Sequence, residues 1–254
     1  MFRSTLIAAA LLATGSAHAL NTGDLAFTSF NADEDGWSMV TFVNIAANTK
    51  IYFTDNEWNG SAIGAGGAFN TGESYHQWDS GASVIAAGTV IRFSAIDVAS
   101  RSASIGTFTG VTVSGSTNFG INQTADTVYA YQGSSATSPT AFLAAISNAA
   151  NFPNATEGQL SGTGLSVGNG AVSLTASSDY AEYSGPRSGL NDFAGYKPLV
   201  SDKSQWTIQG DGTFASTVPN TVAFAVTAVP EPSTEAMLLA GLGMLGLIAR
   251  RRMR

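Results

Sequence analysis

The chain has 254 residues, with 28 Gly, no Cys and only 11% charged side chains, where about 25% is usual for soluble domains. The missing cysteines exclude thiol catalysis, Cys-ligated zinc, iron–sulfur clusters and disulfides together. Between residues 20 and 228 six basic side chains stand against sixteen acidic ones, a net charge of minus ten, and a surface of that sign repels nucleic acid and anionic lipid.

Residues 1–19, MFRSTLIAAALLATGSAHA, place Arg3 before an apolar run from Leu6 to Ala13 and then the small-residue pattern Ala17-His18-Ala19. This is the layout of a secretory signal peptide, with signal peptidase expected to cut before Leu20. No Cys follows the cut, so lipoprotein-type lipid attachment is excluded.

From residue 20 to 228 the dominant pattern is alternation of apolar and polar residues, bounded by Gly, Asn and Asp. It predicts strands at Leu25–Phe30, Trp37–Ile45, Lys50–Phe53, Thr89–Phe93, Ile105–Phe108 with Val111–Val113, Thr127–Tyr131, Ala171–Leu174, Tyr180–Tyr183 and Thr221–Val226. Two segments break the alternation. Pro139–Ile146 has helical spacing with Pro in its first turn, and Leu190–Lys203 has a poorer helical pattern interrupted before Pro198. The fold expected is all-β: an antiparallel sandwich with one or two short helices, large enough at roughly 210 residues to do without disulfides.

Candidate sites sit in the turns. Asn31-Ala-Asp33-Glu34-Asp35-Gly36 carries oxygen side chains at positions 1, 3 and 5 before Gly, like the start of an EF-hand loop, but the bidentate Glu due at position 12 is Phe42. A calcium site of another kind forms if Asp55 and Glu57 lie at the same end of the sandwich as Asn31, Asp33 and Asp35; otherwise the segment is a solvated acidic hairpin. Trp58, Tyr75 and Trp78 stand in a Gly- and Ser-rich stretch. Exposed, they would stack on sugar rings; buried, they pack between sheets. His76 is the one histidine after residue 20, beside aromatic neighbours and without an evident nucleophile or metal partner. Gly164-Leu-Ser166-Val-Gly168 matches a nucleophile elbow, yet no His follows it, and it reads as a Gly-rich loop.

The C-terminus runs Val229-Pro230-Glu231-Pro232-Ser-Thr, then Glu235, then fourteen uncharged, mostly apolar residues from Ala236 to Ala249, then Arg250-Arg251-Arg252-Met253-Arg254. The arginines favour the cytoplasmic side, and a helix of fourteen residues spans roughly 21 Å, short of the roughly 30 Å hydrocarbon core, as suits a transient transmembrane anchor. Pro-Glu-Pro, a short apolar helix and a terminal Arg cluster in this order resemble the PEP-CTERM sorting signal of Gram-negative bacteria. The resemblance covers residues 229–254 and implies retention in the inner membrane, cutting near Pro230-Glu231-Pro232 by the protease exosortase, and delivery to the cell surface or matrix. The stretch from Gly23 and Asp24 through Phe27, Asn31 and Asp33 to Ile51-Tyr-Phe53-Thr54-Asp55-Asn56 resembles other PEP-CTERM ectodomains and, more distantly, lamin-tail-like secreted domains, which implies an immunoglobulin-like sandwich.

The expected function is therefore that of a non-enzymatic surface or extracellular-matrix protein associated with exopolysaccharide, needing no cofactor unless calcium fills the acidic turns. A carbohydrate-binding module for that polysaccharide is the alternative, and a metal-dependent hydrolase a second one.

Overall fold

β1 (Leu25–Asn31) and β2 (Gly36–Thr41) form the first hairpin, paired from Leu25↔Thr41 to Asn31↔Gly36 with a bulge between Phe27 and Ser29. Its turn closes because Asn31 Oδ1 accepts the N–H groups of Asp33 and Glu34, at 3.1 Å each, while Asp35 takes a left-handed backbone with φ of 55°. These coordinates are a computed structural model, which describes residues 19–227 together with Leu242, Arg250 and Arg251. A second hairpin joins β3 (Lys50–Thr54) to β4 (Tyr75–Asp79), after which β5 (Val90–Ser94) returns to pair with β2. Short edge strands β6 (Ser102–Ala103) and β7 (Thr107–Gly110) precede the long hairpin of β8 (Thr127–Ser135) and β9 (Ser138–Ser147). Then come β10 (Ser166–Val167), β11 (Gly170–Ser173), β12 (Tyr180–Tyr183), helix α1 (Tyr196–Val200), a 3₁₀ turn at Lys203–Gln205 and β13 (Trp206–Gln209).

These strands make two sheets, in the orders β13-β12-β1-β2-β5-β6 and β10-β11-β9-β8-β3-β4-β7. The facing sides bury an inner core around Trp37, whose ring lies 5.2 to 6.3 Å from those of Phe53, Phe93, Phe108 and Phe27. A separate outer core covers the far face of the second sheet. There Tyr52, Tyr75, Tyr129, Tyr131 and Phe142, one strand position out of phase with Phe53, Val128 and Ala130, meet Trp58 and Phe69 from the β3–β4 connection and Phe152 and Leu165 from the β9–β10 connection. Gly162 lets these two covering segments touch: its φ is +73°, and a Cβ there would stand 2.3 Å from the Ser61 carbonyl oxygen.

The all-β sandwich expected from alternation is present, with differences in detail. The second sheet is mixed, not antiparallel, because β11 runs parallel to both β9 and β10. The long connection between residues 147 and 170 supplies the crossover that a parallel pair requires. The segment expected to be helical, Pro139–Ile146, is strand β9. Phe142 and Ala145 serve the outer core while Leu143, Ala144 and Ile146 serve the inner one, so both faces are apolar and the two-residue period disappears. Pro139 sits at the start of that strand, where its missing N–H is tolerated.

The second expected helix shrinks to α1, which carries Pro198 in its first turn, where no intrahelical N–H is needed. Thr221–Val226 is no sheet strand; one bridge, Leu190↔Val226, is its only ladder contact among the described residues. Of the expected transmembrane helix only Leu242, Arg250 and Arg251 are described, each helical, and among the described residues no helix is long and apolar enough to cross a membrane. Residues 1–18 of the expected signal peptide lie outside the described residues, and Leu20 is the first core residue.

Candidate functional site

The acidic turns collect at one end of the sandwich, where Asn31, Asp33, Glu34, Asp35 and Glu57 each bond to the chain itself. Asn31 Nδ2 donates to the Phe214 carbonyl (2.9 Å) and Asp33 Oδ2 accepts the Phe214 N–H (2.6 Å), while Asp33 Oδ1 accepts from Gln123 Nε2 (2.6 Å). Asp35 Oδ1 accepts the Ile121 N–H, Glu34 pairs with Arg92, and Glu57 accepts from the Asn70 side chain. Burial, opposed by the Ile121 bond, lifts the Asp35 carboxyl to about 6. Asp55 shares this end, lining one small void with Ile121, yet among the described residues no three His, Asp or Glu side chains are grouped so as to hold a metal ion. The spacing that resembles an EF-hand start is here a hairpin turn whose side chains pin the loops at residues 121–123 and 214.

Beneath the turns lies a buried polar chain. Ser74 donates to Asp55 Oδ1 through both its N–H (2.9 Å) and its Oγ (2.8 Å), and Ser74 Oγ lies 3.4 Å from His76 Nδ1. His76 Nε2 is 3.1 Å from the Ile96 carbonyl, which can only accept, so Nε2 carries the ring proton and Nδ1 carries none. Alternation within β4 puts His76 on the inner face, where it stacks on Phe108 at 4.9 Å. Burial, with Arg101 adding repulsion, pushes His76 down to about 4, so the ring is neutral.

Burial raises Asp55 well above the usual carboxylate range, reinforced by repulsion from Asp126 and Glu73 and opposed by the Ser74 bonds. Asp126, buried as well, is pushed up to about 7 although it accepts the N–H groups of Asn122 (2.7 Å) and Thr127 (2.6 Å). Burial thus biases both carboxyls towards holding a proton, each against two hydrogen-bond donors. Asp55 Oδ2 and Trp37 Nε1 have no hydrogen-bond partner, and both residues line the same void, which is too tight for a water molecule.

As chemistry, this chain is inverted relative to a hydrolytic triad. The serine lies between the acid and the imidazole, its hydroxyl is turned to Asp55, and all three side chains are buried. Ser166 of the elbow-like motif sits on the exposed edge strand β10.

The aromatic residues expected as a sugar platform are not on the surface. Trp58, Tyr75 and Trp78 are 0%, 2% and 1% exposed. Trp58 is wedged between Phe69 (5.1 Å) and Phe142 (5.0 Å) and donates its Nε1–H to the Ser61 carbonyl, and Trp78 donates to the Ile105 carbonyl at 2.7 Å. Hydrophobic burial with one satisfied indole N–H is the favoured state for such rings.

After β13 the chain returns across the first sheet as a strap and stays attached to the last residue described before the C-terminal segment. Phe224 is 3% exposed, packed on Phe42, Tyr183 and Tyr196 with the Arg187 guanidinium over its ring at 5.0 Å. The backbone is held at Phe224 N to the Gly88 carbonyl (2.8 Å), Ala225 N to the Arg187 carbonyl (2.7 Å) and Thr227 N to the Leu190 carbonyl (2.8 Å). Tyr196 donates its hydroxyl to the Ala225 carbonyl (2.7 Å), and Arg187 Nη1 donates to that of Val222 (2.9 Å). Beyond the strap, Arg250 and Arg251 are exposed, while Val229, Pro230, Glu231, Pro232 and Arg252 lie outside the described residues.

Comparison with protein families matches residues 228–252 to the PEP-CTERM protein-sorting motif. The motif implies an exported protein processed by exosortase and directed to the cell surface. Comparison with curated proteins and with solved structures gives no match.

Proposed function

We propose that a chain bearing this sorting motif is a non-enzymatic surface or extracellular-matrix protein, held transiently in the inner membrane by its C-terminal helix and released by exosortase into an exopolysaccharide layer. The observation that carries the reading is the motif at residues 228–252, placed directly after a strap that is bonded to the folded domain as far as Thr227. Removal of residues 1–19 by signal peptidase takes nothing from the described core, which starts at Leu20. The two packed sheets are compatible with an immunoglobulin-like sandwich, and the acidic surface of the 20–228 region suits a highly hydrated layer. Against an enzymatic role stand the burial of His76 and the inward-turned Ser74 hydroxyl.

Mass spectrometry of the protein recovered from the cell surface tests the reading. The mature form is expected to begin at Leu20 and to end near Pro230, without Arg250 to Arg254. An intact C-terminus in that fraction would overturn the exosortase assignment. Replacement of Pro230 and Pro232 by Ala is expected to hold the chain in the inner membrane.

A further inference from the structure

The strap does more than close the first sheet. Its last four described residues, Phe224 to Thr227, are the stretch that a protease acting near Pro230 would draw into an extended cleft along with the motif, and three of them already spend main-chain groups on the domain. Engagement of this stretch by another extended-peptide binder first requires it to leave the domain, and Phe224 must then leave its pocket of Phe42, Tyr183, Tyr196 and Arg187. The close approach is built into the sequence at Gly88, whose φ is +86°: a Cβ there would stand 2.2 Å from the Phe224 carbonyl oxygen and 2.7 Å from the Phe193 ring.

We propose that Phe224 and Arg187 are positioning residues for C-terminal processing: they clamp the chain to the folded domain up to Thr227 and so withhold the residues that precede the sorting motif from the processing enzyme. The inference rests on the exosortase reading given above. A clamped strap is a binding-incompetent majority state, and a ligand that needs the released state binds more weakly by the fraction released. Conversion of precursor to mature protein therefore runs at a rate set by strap release. The cut itself stays at the bond chosen by the motif.

Pulse-chase conversion in cells compares the wild type with two variants of the full chain. Phe224→Ala empties the clamp, and conversion is expected to quicken roughly tenfold, in line with the loss of one buried aromatic anchor. Insertion of eight Gly and Ser residues between Thr227 and Ala228 leaves the clamp intact but supplies free chain ahead of the motif, and it is expected to quicken conversion to a similar degree. The new C-terminus, read by mass spectrometry, is expected to keep its place relative to Pro230 in all three proteins. Unchanged rates in the insertion variant, with the wild type converted normally, would overturn the clamp, as would acceleration by Phe224→Ala alone, which reports damage to the fold. Retention of Arg250 to Arg254 in every protein, the wild type included, would overturn the exosortase reading and the clamp with it.

Discussion

Asp55→Asn is expected to make the folded domain less sensitive to pH, and the structure gives the sign of the effect. The native Asp55 carboxyl, buried and next to Asp126, holds its proton well above the ordinary value of 3.8 at which the unfolded chain releases it. A group raised in this way contributes stability that is fully present below the unfolded value and is lost as the pH climbs towards the native one, by about 1.4 kcal/mol for each pH unit. As the pH climbs above the unfolded value the wild type thus loses stability through Asp55, whereas an amide, which cannot ionise and keeps Oδ1 as acceptor for Ser74, loses none. Asp126, pushed up to about 7 by burial, acts in the same direction in both proteins. His76 runs the other way. Its ring, pushed down to about 4, costs stability as the pH falls from 6.5 towards 4, but it does so in both proteins and cancels in the difference. Urea unfolding at pH 5, 6 and 7 and fixed ionic strength, followed by tryptophan fluorescence, measures that difference, since Trp37 lines the same void. A gap between variant and wild type that stays constant with pH would refute the upward shift of the Asp55 carboxyl.

Trp58→Ala is expected to destabilise the protein by about 3–5 kcal/mol, the range for emptying a buried indole site, and a loss below about 1 kcal/mol in thermal or urea unfolding would mean that the ring is a surface platform after all. Calcium and magnesium at equal millimolar concentration and ionic strength are expected to give the same melting midpoint, because Asp33, Asp35 and Glu57 already accept from protein donors; a rise specific to calcium, abolished by Asp33→Asn with Asp35→Asn, would show a site that those donors do not exclude.

Alternation identified β1, β2, β3, β5, β8, β11 and β12 from the residues alone, helped by turn residues such as Asn31 and Asp35 whose side chain or backbone closes a hairpin. It failed where both faces of a strand are apolar. The run from Phe142 to Ile146 has small and large apolar residues at every position, and only the presence of the second, outer core explains why. Thr221–Val226 failed for the opposite reason: the pattern is right for a strand, but the segment is held by one aromatic anchor and scattered carbonyls and does not join either ladder. Of the buried polar chain, the sequence marks Asp55 as a turn carboxylate and His76 as a lone imidazole. Ser74 carries no such mark, although its place two residues before His76 puts both on one side of an extended segment. Asp126 carries no local signal at all, since its relation to Asp55 arises from sheet pairing between β3 and β8.

The division into two cores has a consequence for how the domain opens. Strands β3, β8 and β9 give alternate side chains to both cores, so none of them can leave without dismantling the inner one. Trp58, Phe69, Phe152 and Leu165 belong to the outer core alone and come from connections between strands. The covering segments are thus a separable rind: they can lift together, tied by the contact of Gly162 with Ser61, and bare a row of tyrosines on a sheet that stays paired. In amide exchange the rind opens first and the sheet beneath it last.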